Sequence, residues 1–298
     1  DEVHRGLGCP DAENYINDVG YSGKDYEAKW YWKCRELDYD MWFGLTGTPT
    51  DSQQYDTENY VVISKDMEKS DWRLPFFERK ITVFQKGNYH SQIEECFLEV
   101  ARKNAMGKYL KSQIKNPVLD LPETKVTGLI KCGIVGADAP GPLAVVREWD
   151  RLCDEYKDKT FEYEGIQLSY HIGKCAMMTS EHKTGGNNNN TVKLLNNENS
   201  EYVAAAVIYI GTVGINITNL GIVSILPLVS NQGDVDNSLR QLISRMDRCK
   251  FVWRGSFANE VAKINDPEQR NLMIKLAVNT SSKRCLATKG GSVSYTHL

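Results

Sequence analysis

The stretch YVAAAVIYIGTVGINITNLGIVSILPLV, residues 202–229, holds two nearly continuous apolar runs joined by a turn rich in Gly, Thr and Asn. Neither run, 202–210 nor 221–229, alternates apolar with polar residues. Strands that read this way are covered on both faces, which is the condition of a parallel sheet. The joining residues include Gly211, Thr212, Gly214 and Thr218. Amides freed by glycine can bind phosphate oxygens. A purely structural turn accounts for the same glycines.

Working outward, residues 41–46, 127–135 and 168–178 are apolar runs of the same kind. Amphipathic stretches separate them. Residues 141–156 place Leu143, Val146, Trp149, Leu152 and Tyr156 at helical spacing, and residues 92–114 do so with Ile93, Phe97, Val100, Ala101 and Tyr109. Strands alternating with helices predict an α/β fold with a mostly parallel sheet. Residues 184–200 (TGGNNNNTVKLLNNENS) are expected to be an exposed loop around a short ordered piece. Residues 50–90 are polar, aromatic and irregular, and read as the way out of a first domain. The expected division is a first domain over 1–87 and a second over 88–291.

The chain has 298 residues, 41% hydrophobic and 25% charged, with a net charge of -3. This balance is that of a globular protein with real cores. It excludes a polybasic or histone-like nucleic-acid binder, while leaving room for a motor that grips its track in a narrow cleft. Eight cysteines are scattered with no C-x-x-C pair, so a zinc ribbon or finger is unsupported. A reducing, cytoplasmic setting fits them best. No secretory signal is evident, and the longest apolar runs, about nine residues, fall far short of the roughly 20 that span a bilayer. The chain opens without methionine. Its last seven residues, 292–298 (SVSYTHL), resemble one reading frame of a transposon-end adapter used in preparing sequencing libraries, and are set aside as foreign to the protein.

Four short motifs carry chemistry. Asp1-Glu2-Val3-His4 places two carboxylates side by side, which suits Mg²⁺-nucleotide chemistry as well as a solvated charge cluster. Phe43-Gly44-Leu45-Thr46-Gly47-Thr48-Pro49 is a strand end followed by a sharp turn, where open α/β sheets put ligand chemistry. The Gly211–Leu220 connection is the third. In Gln241-Leu242-Ile243-Ser244-Arg245-Met246-Asp247-Arg248 a helix would project Gln241, Arg245 and Arg248 from one face at i, i+4 and i+7. Leu239, Leu242, Ile243 and Met246 would fill the buried face. Two arginines and a glutamine aimed together suit a phosphate chain, and a solvated basic stripe is the plainer alternative.

In this order the four pieces resemble motifs II, III, V and VI of superfamily-two DExH helicases, in the restriction-translocase and phage-helicase branches. The resemblance extends from residue 1 to about residue 255. It departs at Ser244, where glycine is usual, and at Asn216, where aspartate is common. It implies tandem RecA-like domains with mostly parallel sheets, the first incomplete because its phosphate-gripping loop lies upstream of Asp1. It implies ATP and Mg²⁺ as cofactors, with Asp1 holding the metal through water, Glu2 as the catalytic base and His4 coupling the ATP site to motif VI. Thr46, Gly47 and Thr48 would link hydrolysis to strand movement. Gly214 and Asn216 would line the cleft near the nucleotide, Gln241 and Arg245 would contact the phosphate end, and Arg248 would be the arginine finger. Residues 175–186 would hold part of the nucleic-acid-facing surface, with His182 and Lys183 near backbone phosphates.

The implied activity is ATP-dependent movement along nucleic acid, DNA rather than RNA, with no membrane partner. Two alternatives stay open: the duplex-translocating subunit of a restriction system, and an inactive nucleic-acid-binding scaffold on the same fold. Because the resemblance puts the phosphate loop upstream of Asp1, the 298-residue chain alone is expected to hydrolyse no ATP. Phosphate release stimulated by nucleic acid from the purified chain would overturn that expectation.

Overall fold

The computed structural model describes residues 79–115, 124–133, 138–179, 183–208, 216–229 and 261–289. Among these residues the chain runs β1 (Arg79–Gln85), α1 (Tyr89–Gln113), β2 (Thr127–Lys131), α2 (Pro142–Tyr156), β3 (Thr160–Tyr163) and β4 (Ile166–Ser169). It continues through β5 (Lys174–Met178), α3 (Asn188–Asn196), β6 (Tyr202–Val207), β7 (Leu220–Val229), α4 (Pro267–Ser281) and β8 (Lys283–Lys289). Six strands form one sheet in the order β1-β8-β7-β2-β6-β5, and every pairing in it is parallel. The fold is α/β with a parallel sheet, as the uninterrupted apolar runs indicated.

Side chains on successive strand residues go to opposite faces, and both faces are packed. Ile130, Ala204, Ala206, Cys175, Ile222 and Leu226 join the α1 and α2 residues Phe97, Val100, Trp149 and Leu152 in one core. Leu129, Ala205, Val207, Ala176, Val223 and Ile225 join Leu195 of α3 in the other. The alanine run of β6 is a poor strand former taken alone. In the sheet it serves both layers, since small side chains let helices approach from either side. Gly128 makes the same allowance in β2, where an added Cβ would stand 2.9 Å from a methyl of Val100 in α1.

Helix α1 has 25 residues, roughly 37 Å at 1.5 Å each. That is about one and a half times the reach of the seven-residue strand it follows, so its C-terminal part runs past the sheet and meets α4. Lys103 of α1, 5% exposed, donates to the carbonyls of Asn279 at 3.0 Å and Ser282 at 3.2 Å, where α4 ends and has orphan carbonyls. Asn279 answers with a 2.9 Å bond to the Lys103 carbonyl. Asn104 behaves as a substitute strand neighbour: its amide accepts from Val126 N at 2.7 Å and donates to Val126 O at 2.8 Å.

Three expectations change. The run 168–178 is two strands rather than one: β4 pairs antiparallel with β3, and β5 enters the main sheet. The break falls at Gly173, where a Cβ would come within 2.6 Å of Val203, and whose carbonyl accepts the indole N–H of Trp149 at 2.8 Å. The β3–β4 hairpin turns through Glu164 (φ 50°) and Gly165 (φ 81°), the two left-handed residues that a tight hairpin needs. Secondly, β1 precedes the division expected at 87/88 yet pairs with β8 along its whole length. The sheet thus begins upstream of that division, because β1 and β8 can find each other only in three dimensions. Thirdly, β8 and α4 had no counterpart in the sequence reading. Residues 41–46, the remainder of 1–78 and the terminal seven residues lie outside the described residues. The short ordered piece expected within 184–200 is α3.

Trp149 is the largest fully buried side chain, edge-on to Phe97 at 5.1 Å between ring centroids. Trp149→Ala is expected to cost about 3–5 kcal/mol of unfolding free energy. Trp149→Phe should cost clearly less, since it keeps an aromatic ring and loses the bond to Gly173. Denaturant midpoints at constant m-value check both.

Candidate functional site

Parallel pairing puts the carboxyl ends of all six strands at one edge, and open α/β sheets place ligands there, where the strand order reverses. Here the chain goes from β2 outward past β6 to β5, then returns to β6 and steps across β2 to β7 and β8. The reversal therefore centres on β2 and its two neighbours, β6 and β7. At the end of β2, Cys132 N donates to Val207 O at 2.8 Å and closes β2 onto β6. Gly133 N donates to Pro140 O at 2.9 Å. A Cβ on Gly133 would meet the Ala139 carbonyl oxygen at 2.3 Å, so only glycine lets the loop fold back this tightly. Lys131 is half-buried at the same strand end.

Across the edge, Lys86 in the β1–α1 turn pairs with Asp138 in the β2–α2 loop at 2.5 Å. The hydrogen bond and the opposite charge raise the lysine pKa and lower that of the aspartate. Both groups are exposed, so the pair tethers two loops loosely in salt solution. Burial pushes the Cys132 thiol up to about 12, which makes it a packing residue and a poor nucleophile. Among the described residues no group of three or more His, Cys, Asp or Glu is arranged to hold a metal.

Helices that follow parallel strands begin at this edge, so α1, α2 and α3 bring the positive ends of their dipoles to it. Only α3 has a side-chain cap among these three, Asn187 Oδ1 accepting from Asn190 N at 2.8 Å. The helices α1 and α2 start behind Asn88 and Gly141 without one. Gly185 and Gly186, both at positive φ, carry the chain from β5 into α3. Thr184 stitches this loop back to β5: its hydroxyl accepts from Met177 N and its amide donates to Met177 O, each at 2.9 Å. Two buried polar atoms on these helix starts, the Tyr89 hydroxyl and Asn188 Oδ1, have no hydrogen-bond partner. An edge of helix N-termini and glycine turns is suited to anionic groups such as phosphate.

Of the residues singled out from sequence, Asn216 is described. It is exposed in the segment entering β7, where its carbonyl accepts from Asn196 Nδ2 at 2.9 Å, and Asn196 Oδ1 accepts from Thr218 N at 2.9 Å. The structure thus places Asn216 at the amino edge, beside the end of α3. Lys183 forms a bridge with Met178 at the end of β5, on the carboxyl edge. Asp1, Glu2, His4, Thr46, Gly47, Thr48, His182, Gly214, Gln241, Arg245 and Arg248 lie outside the described residues. Gly214 belongs to the β6–β7 connection, and Gln241, Arg245 and Arg248 to the β7–β8 connection. Lys86, Gly133 and Asp138 were not singled out in the sequence. The signal was present in residues 131–142 (KCGIVGADAPGP), where an apolar run ends in dense glycine and proline.

No family model, curated protein or solved structure matches this chain. No described helix is long and apolar enough to cross a membrane.

Gly133→Ala is expected to destabilise the protein by about 1–3 kcal/mol, since the obstructing atom is backbone and cannot swing away. Gly141→Ser is the contrasting change. A Cβ there meets nothing within 4 Å, and serine caps a helix well, so the outcome should be neutral or stabilising by up to about 1 kcal/mol. Thermal unfolding of both variants distinguishes a tight loop from a generally sensitive edge.

Proposed function

We propose that the chain is part of an ATP-driven nucleic-acid helicase or translocase built on tandem RecA-like domains, acting on DNA with ATP and Mg²⁺. The observation that carries this reading is positional. The third and fourth motifs, read from sequence alone, fall in the chain segments that follow β6 and β7, the strands flanking β2 where the order reverses, with Asn216 of the third motif at the far, amino end of its connection. Motifs that must meet one nucleotide need to emerge from one edge, and a parallel sheet provides that edge. The uncapped helix starts and glycine turns there favour phosphate. In this reading Asp1 holds Mg²⁺ through water, Glu2 activates the attacking water, and Gln241, Arg245 and Arg248 face the phosphate chain.

Charge develops on the γ-phosphate oxygens during transfer, and a guanidinium reaching them lowers the barrier. Arginine fingers are worth roughly 10³–10⁵ in turnover in GTPases. In a chain that includes the phosphate-binding loop, Arg248→Ala should therefore collapse nucleic-acid-stimulated ATPase turnover and leave nucleotide affinity within a few fold. Arg248→Lys should rescue little, because an ammonium lacks the planar fork. Asp247→Ala should be mild. Near-normal turnover in Arg248→Ala with loss in Asp247→Ala would place the fourth motif in another register.

A further inference from the structure

Gln92 sits in the first turn of α1 and is fully buried. A buried primary amide is costly unless its donors and acceptor are matched, and here they are. Nε2 lies 3.2 Å from Ser224 Oγ, 3.0 Å from the Ile225 carbonyl and 3.1 Å from the Leu286 carbonyl. Oε1 accepts from the Thr288 hydroxyl at 2.7 Å. Ser224 and Thr288 are themselves fully buried.

These partners surround an irregularity. The β7–β8 pairing runs regularly to Ile225↔Ala287 and resumes at Val229↔Lys289, so residues 226–228 of β7 face Thr288 alone. Pro227 lies within this bulge and has no N–H to offer. Next to this interruption Gln92 reaches in from the helix and donates to the Ile225 and Leu286 carbonyls, at the last regular pairs before the bulge. The bulge re-aims the end of the strand, as bulges beside functional sites do, and the chain leaving that end is the connection that holds Gln241, Arg245 and Arg248.

We propose that Gln92, with Ser224 and Thr288, is a positioning latch: it ties the first turn of α1 to the bulged ends of β7 and β8 and so fixes the course of β7 up to Val229, from which the β7–β8 connection continues. What that connection does rests on the helicase reading; the latch itself does not. The first test is hydrogen exchange on the 298-residue chain. Gln92→Leu should speed amide exchange in peptides covering 222–229 and 285–289 by roughly tenfold or more, while peptides covering β2 and β6 stay within about twofold. Should Gln92→Leu fail to fold, Thr288→Val removes one hydroxyl at constant shape and should give a smaller change at the same places. Acceleration spread evenly over the sheet, or none at the β7–β8 ends, would refute the latch. The second test uses a chain that includes the phosphate loop. Thr288→Val should lower kcat about tenfold and leave the KM for ATP within about threefold. Unchanged kcat alongside local acceleration would refute positioning. If the wild-type longer chain hydrolyses no ATP with nucleic acid present, the helicase reading falls and the positioning role with it, and the exchange result still decides the latch.

Discussion

A parallel sheet must be covered on both faces, and most of this structure follows from that requirement. β2 lies between β6 and β7 and sends Ile130 into the α1–α2 layer and Leu129 into the α3 layer. Neither face of it can be given to water without exposing a row of apolar side chains. The crossover helices are therefore part of the sheet's stability as well as its connections. Alanines in β6 and Gly128 in β2 keep the layers close, and Trp149 fills the space where α2 descends on the strand ends.

Covering both faces creates a second demand, because helix ends and strand ends become buried along with the side chains. Polar residues within the layers meet it by binding backbone. Lys103 takes the carbonyls at the end of α4, and Lys125 takes those of Leu194 and Asn197 at the end of α3. Lys283, 2% exposed, donates to the Leu220 carbonyl at 2.8 Å. Asn104 completes the backbone of Val126, and Gln92 donates to the Ile225 and Leu286 carbonyls beside the bulge of β7. Each of these would read as a surface residue in a list of side-chain types. Each is buried with a backbone carbonyl as its partner.

The two edges of the sheet consequently differ. The amino edge is closed by lysines and asparagines that satisfy carbonyls, with Asn216 drawn into the same set through Asn196. The carboxyl edge carries helix starts and glycine turns. That asymmetry, more than any single residue, directs attention to the loops after β2, β6 and β7. Gln92 lies in the first turn of α1, just below the carboxyl edge.

The sequence by itself determined the class of fold, since uninterrupted apolar runs alternating with helical spacing leave few options besides a parallel α/β sheet. It also located β2, β6 and β7 closely, and the helices at 92–114 and 141–156 to within a few residues. Local periodicity reports whether faces are buried, and these segments are buried on two faces or on one clean stripe. Tertiary structure alone decided the rest. β1 and β8 are separated by almost the whole described chain and pair only because α1 and α4 return them to the same edge. The run 168–178 splits because Trp149 claims the carbonyl of Gly173, a contact no window of sequence contains. Gln92 becomes a core residue through bonds to Ser224, Ile225, Leu286 and Thr288, all far from it in the chain. Periodicity is a property of neighbours in the chain, whereas register, bulges and the capture of stray carbonyls are properties of neighbours in space.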